Sequence, residues 1–143
     1  MFGLKRKFKN SRRGFIKRED GSPTVEAVLW LPLFMVIFGF MVDGATIFFG
    51  QAKMLRVVQD ANRHMSVNRL QSATETQDYV IERLRRVGIA ATATTTEPAP
   101  GVIATVAVAT VGQLEILGTL TFLTSDSLEI AVAAEHINER WDG

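Results

Sequence analysis

The sequence contains no cysteine and only two histidines, His64 and His136. Disulfide bonds and thiolate metal sites are therefore excluded, while the redox compartment stays open because a chain without cysteine suits any compartment. The histidines lie far apart and have no spacing typical of a metal site. The sequence also lacks a glycine-rich phosphate loop and a nucleophile elbow. We therefore expect no catalysis, no metal and no cofactor.

Acidic residues are missing from the first 18 positions, which carry eight lysines and arginines. From residue 51 onward, eight basic and eleven acidic residues give the opposite balance. Such an asymmetry indicates two parts of the chain in different surroundings. Phenylalanines interleave the basic residues, as they do in some nucleic-acid-binding arms. Because an apolar segment follows, topogenic charge is the favoured interpretation, and we expect no nucleic-acid partner.

A long apolar run extends from Ala27 to Phe49 and carries one charge, Asp43. As a helix it would span roughly 34 Å, against about 30 Å for the hydrocarbon core of a bilayer. The preceding basic block places the N-terminus in the cytoplasm by the positive-inside rule. We expect a basic cytoplasmic leader (1–21), a single transmembrane helix (22–50) in the inner membrane, and a periplasmic domain (51–143).

The same run could instead be a cleavable secretory signal. Gly50, Gln51 and Ala52 place small residues where signal peptidase accepts them. The apolar part of a signal peptide is about 7–15 residues long, however, and this run is longer and contains Asp43. The transmembrane interpretation is therefore favoured.

Glu26 stands at the beginning of the apolar run, five residues after Gly21. A carboxylate in a helix that enters lipid costs a few kcal/mol unless it has a partner or lies in water. One interpretation places Glu26 at the headgroup level, where the helix macrodipole favours it. The other is a cut after Gly21, which gives Ser22 a free amine with a pKa near 7.7–8.0 that can neutralise Glu26 of a neighbouring chain.

Two further residues of the run have a predicted role. Pro32 removes a backbone hydrogen bond and is expected to kink the helix. Asp43 lies 17 residues, or roughly 26 Å, beyond Glu26 along a helix, which places it near the outer interface. There it is expected to be hydrated, or else to contact Lys53, Arg56 or a partner subunit.

The rest of the chain predicts an α+β fold. Met54, Val58, Ala61 and Met65 recur at spacings of four, three and four, which predicts that the first helix continues as a stalk to about residue 70. We expect this apolar stripe to pack on the chain's own domain rather than on a partner. A second helix follows, with Thr74 and Gln77 at capping-box spacing and a stop at Gly88.

The C-terminal half predicts a small antiparallel sheet. Strands are expected over 89–96, 102–111, 115–123 and 128–135, with a loop at 97–101. The last two are expected to form a hairpin around the turn at 124–127.

Several of these features occur in the order found in TadE-like proteins of the tight-adherence (Tad/Flp) pilus system. Residues 21–63 resemble that family in a glycine, a Val-Glu pair, a Leu-Pro pair in the apolar run, an acidic residue before a glycine, and a following amphipathic helix. In this chain the features are Gly21, Val25-Glu26, Leu31-Pro32, Asp43-Gly44 and residues 51–63. The Gly21-to-Glu26 spacing also resembles the processing site of type IV prepilins.

The resemblance implies a structural or assembly protein with a pilin-like fold: a minor pilin or pseudopilin. The implied partners are the inner membrane, other pilin-like subunits, the Tad assembly machinery and a prepilin peptidase that cuts between Gly21 and Ser22. Processed members often have Tyr or Phe after the glutamate, where this chain has Ala27, so cleavage and family resemblance are separate predictions. The alternatives are an uncleaved membrane scaffold and a signal-anchored periplasmic binding module.

Overall fold

A computed structural model describes residues 22–124 and 128–138 of the chain. The chain divides into two compact units, Met1–Met35 and Val36–Gly143. The basic leader, Gly21 and residues 125–127 of the predicted turn lie outside the described residues. The first helix, α1 (Ser22–Ser66), contributes its beginning to one unit and the rest to the other.

Within the first unit, α1 is apolar and exposed. Every side chain from Thr24 to Met35 is exposed, although most of them are large and hydrophobic. Only 6% of the most apolar 18-residue window of the helix is buried, which a core helix of a soluble protein would not show. Among the described residues this is the one helix long and apolar enough to cross a membrane. The predicted apolar helix is therefore confirmed, while its orientation stays a prediction.

Within the second unit, α1 buries one face. The four residues of the predicted stripe, Met54, Val58, Ala61 and Met65, are all buried. They pack with apolar residues of the second helix and the sheet, and Met65 joins a smaller cluster. Packing on the chain's own domain is thus confirmed, because the stripe is covered without any partner.

The second helix, α2 (Ala73–Arg86), has well-formed ends. Its N-cap is Ser72, whose hydroxyl accepts a hydrogen bond from the Glu75 backbone N–H at 3.1 Å. The capping box expected at Thr74 and Gln77 is therefore wrong by two residues. The stop at Gly88 is confirmed: its φ of +82° suits glycine, and the next residue donates its N–H to the Leu84 carbonyl.

Three antiparallel strands form the sheet in the order β1 (Thr92–Ala99), β2 (Val102–Thr110) and β3 (Glu129–Ile137). A two-residue turn, Pro100-Gly101, joins β1 to β2, and Gly101 has a φ of +78°. Proline followed by a left-handed glycine is the pattern of a type II turn. One face of the sheet covers α1, so the core lies between this face, α1 and α2.

The strand and hairpin predicted over residues 115–135 are wrong in their first half. Residues 111–113 form a short 3₁₀ helix, and Thr119–Thr124 form a third helix, α3, instead of a strand. β3 pairs with β2 along its whole length, from Val102 opposite Ile137 to Thr110 opposite Glu129. The α+β architecture of long helix, shorter helix and small antiparallel sheet is confirmed.

Candidate functional site

The predicted processing site lies at the edge of the described residues. Gly21 falls outside them, and α1 begins at Ser22. Glu26 is exposed, and none of the described residues forms an ion pair with it. Pro32 lies inside α1, which continues through it. The cut, the charge pairing of Glu26 and the kink at Pro32 all stay predictions.

Asp43 lies in a different environment from the one expected. Its carboxylate is fully buried, whereas the sequence suggested a hydrated interfacial residue or a contact to Lys53 or Arg56. One oxygen accepts the backbone N–H groups of Ile116 and Leu117, at 3.0 and 2.7 Å. The other accepts the backbone N–H of Thr119 at 2.8 Å and also its hydroxyl. The side chain thus binds a segment more than 70 residues away in the sequence.

These hydrogen bonds satisfy donors that have no helical partner. The first N–H groups of any helix lack an acceptor within the helix, and side-chain oxygens commonly supply one. Asp43 does this for Thr119, the first residue of α3, and it also accepts the N–H groups of Ile116 and Leu117, which precede the helix. Gly118, with a φ of +73°, makes the turn that brings these N–H groups to one side. In a strand, the backbone N–H groups of residues 115–123 would point to a neighbouring strand. Here three of them point to Asp43 instead.

Two glycines of α1 allow the segment of residues 114–119 to pack close to the helix. A β-carbon at Gly39 would lie 2.8 Å from Thr119 Cγ2, and one at Gly50 would lie 2.7 Å from Leu114 Cδ2. Gly44, between them, has open space beside it. Sequence reasoning missed Gly39 and Gly50. Their signal is positional: Gly39, Asp43 and Gly50 extend the buried stripe of α1 toward the N-terminus at spacings of four and seven.

Residues 21–63 match the family model described as TadE-like protein. The match covers the segment on which the resemblance rested and confirms it. No curated protein and no solved structure matches the chain. The family consists of structural proteins associated with the Tad pilus, and the apolar helix agrees with a membrane-anchored component of that system.

The TadE-like segment also supplies a buried polar residue that holds the sheet. Asn62 of α1 donates a hydrogen bond from Nδ2 to the Ala134 carbonyl at 2.7 Å. Its Oδ1 accepts the hydroxyl of Thr105, and that hydroxyl lies 2.9 Å from the hydroxyl of Thr95. All three strands are thereby connected to one side chain of α1. A buried network in which each member has a partner favours one arrangement of the sheet on the helix.

A polar cluster at the end of α1 is formed by Asp60, within the TadE-like segment, and by His64 and Tyr79, which follow it. The Tyr79 hydroxyl donates to Asp60 Oδ2 at 2.8 Å, and the His64 and Tyr79 ring centroids lie 5.3 Å apart. Burial and the hydrogen bond to Asp60 raise the pKa of Tyr79. The cluster connects α1 to α2. Among the described residues there is no group of three or more His, Cys, Asp or Glu side chains that could hold a metal ion.

Proposed function

We propose that the chain is a minor pilin or pseudopilin of a Tad/Flp pilus. In this role α1 holds the protein in the inner membrane, and the α+β domain lies in the periplasm. The function is subunit packing and not catalysis. The partners are other pilin-like subunits and the Tad assembly machinery.

The observation that supports this proposal is that α1 changes along its length from an exposed apolar helix to a helix with one buried face. In the TadE-like segment, α1 is exposed and apolar at its beginning and then buries one face under an α+β domain. An exposed apolar helix needs lipid or other apolar helices around it. A pilin-like subunit has both surroundings in turn, first in the membrane and then in the filament.

Glu26 has a specific part in the proposed mechanism. Cleavage after Gly21 creates an amine at Ser22, four residues before Glu26. In a helical bundle, this amine pairs with the Glu26 carboxylate of a neighbouring subunit. The pair offsets the cost of two charges among apolar helices and fixes the register between subunits.

The test has two readouts, the mature N-terminus and pilus assembly. We expect intact-mass measurement of the membrane protein to give a chain that begins at Ser22. Gly21→Leu should leave the leader attached and abolish assembly, whereas Gly14→Leu, within the leader, should do neither. Likewise, Glu26→Gln should impair assembly, while Glu19→Gln, upstream of the cut, should not.

Each alternative has its own outcome in this experiment. A chain that begins at Met1, with assembly unaffected by Gly21→Leu, identifies an uncleaved scaffold and contradicts the pilin role. A chain that begins after Ala52 identifies a secretory signal and contradicts the membrane anchor. For orientation, a cysteine introduced at Gln113 should react with a membrane-impermeant maleimide from the periplasmic side, while one at Ser11 should not.

A further inference from the structure

We propose that residues 116–123 are a second membrane-inserted element, which lies in the lipid leaflet on the side of the C-terminal domain. The ligand class is the acyl chains of membrane lipids. The proposal rests on membrane insertion of α1 and not on the pilin role.

The first argument is the composition and exposure of this segment. Residues 116–124 contain no charged side chain. Phe122 is 88% exposed and Ile116 is 72% exposed, and Leu117 and Leu123 are also exposed. Four large apolar side chains within eight residues form a patch of the kind that marks a contact with lipid or protein.

The second argument is the position of this patch on α1. Thr119 lies against Gly39 and Asp43, within the apolar run 27–49. The exposed side chains of Ile37, Phe38 and Met41 belong to the same part of α1. When this part of α1 is in the hydrocarbon, the segment beside it is at the same depth. The patch therefore continues the lipid-facing surface of α1.

The third argument is that five backbone N–H groups of the segment have acceptors within the protein. Backbone polar groups at membrane depth need partners within the protein, because lipid supplies none. The Asp43 carboxylate accepts the N–H groups of Ile116, Leu117 and Thr119. The N–H of Thr121 reaches the Glu115 carboxylate at 3.3 Å, and that of Phe122 reaches the Gly118 carbonyl at 3.0 Å. By accepting these N–H groups, Asp43 lowers the free-energy cost of inserting this turn into lipid.

A groove between the two elements gives the lipid a defined place. It has a volume of about 470 Å³ and is lined by Val36 and Phe40 of α1 and by residues 117–119, 122 and 123. None of these side chains is charged. An acyl chain suits this groove, because it offers apolar walls and no charge to bind a polar ligand.

The absence of cysteine permits a site-directed measurement on the full-length chain. Single variants Phe122→Cys and Leu123→Cys receive a nitroxide label and are reconstituted into vesicles of phosphatidylethanolamine and phosphatidylglycerol. Collision with oxygen, which concentrates in lipid, is compared with collision with a water-soluble nickel chelate. Phe38→Cys is the lipid reference, and Ile137→Cys, at a 73% exposed position at the end of β3, is the water reference.

We expect both α3 labels to match the Phe38 label, with loss of nickel access relative to Ile137. Labels that match Ile137 overturn the proposal. Spectral broadening that disappears on dilution with unlabelled protein assigns the surface to a second copy and also overturns it. A Phe38 label in water refutes the membrane anchor itself, whereas failure of the pilin role leaves all four labels unchanged.

Discussion

At the scale of single residues, Asp43 connects α1 to a segment more than 70 residues away in the sequence. It is a buried carboxylate with four donors, three of them backbone N–H groups of one turn. Hydrogen bonds to a charged group contribute more than neutral ones, about 1.5–3 kcal/mol each. We therefore expect Asp43 to help hold residues 115–119 against α1.

We predict that Asp43→Asn loosens this connection without unfolding the sheet. The amide keeps one acceptor oxygen but brings N–H groups toward other donors, which lowers the local opening free energy by about 1–3 kcal/mol. Hydrogen exchange in detergent micelles should show faster exchange at Ile116, Leu117 and Thr119. Asp78→Asn, on the exposed side of α2, is the matched control and should leave these amides unchanged. Equal exchange in the two variants would contradict the assigned role of Asp43.

Tyr79 gives a prediction about pH. Burial and the hydrogen bond to Asp60 raise its pKa above the ordinary value of 10.0, so the folded chain holds the phenol proton more tightly than the unfolded chain. The resulting stabilisation is present below pH 10 and is lost as pH rises through the folded-state pKa. Because this is the only tyrosine, absorbance at the tyrosinate band reports on it alone.

Tyr79→Phe is the matched variant for this measurement. Near neutral pH it should lower the free energy of unfolding by about 1 kcal/mol, the typical value of one hydrogen bond. Above pH 10 the difference in stability between the native protein and the variant should shrink. A tyrosinate titration with its midpoint at or below 10 would refute the pKa assignment.

At the scale of elements, the sequence predicts what depends on local periodicity. The Met54-to-Met65 stripe and the Gly88 stop follow from spacing and backbone conformation, and both are confirmed. Residues 115–123 have the apolar, β-branched pattern of a strand, but their backbone donors find an acceptor in Asp43. That contact spans more than 70 residues, so no local pattern could reveal it. The buried network of Asn62 was missed for the same reason.

The close approach of the connection to α1 predicts different results at two glycines. Gly50→Val should lower the free energy of unfolding of the full chain in detergent by about 1–3 kcal/mol, and with it the melting temperature, since a β-carbon there meets Leu114. Gly44→Val introduces the same side chain into the same helix at an open position. Helix propensity thus cancels between the variants, and the difference measures the contact alone. Equal melting temperatures would show that the connection is not packed at Gly50.

At the scale of the whole molecule, the second unit begins inside the predicted transmembrane run. It starts at Val36, and its buried positions on α1 include Gly39, Asp43 and Gly50 as well as the Met54-to-Met65 stripe. Counting charge and hydropathy divides the chain at residue 50. The compact units are divided at a different place, because residues 114–119 pack back along the helix, and the predicted domain bounds stay a prediction.

This difference predicts how two truncated chains will behave. A chain that begins at Val36 keeps the Asp43 acceptor and both close-packed glycines, whereas one that begins at Gln51 keeps only the stripe and Asn62. In detergent, both should protect the β2 amides from exchange, but only the longer chain should protect the amides of residues 116–119. Equal protection would show that α1 before residue 51 contributes nothing to the domain. Cleavage after Ala52 would remove Asp43 and leave the backbone N–H groups of Ile116, Leu117 and Thr119 without their acceptor. This cost argues against a secretory signal that ends at Ala52.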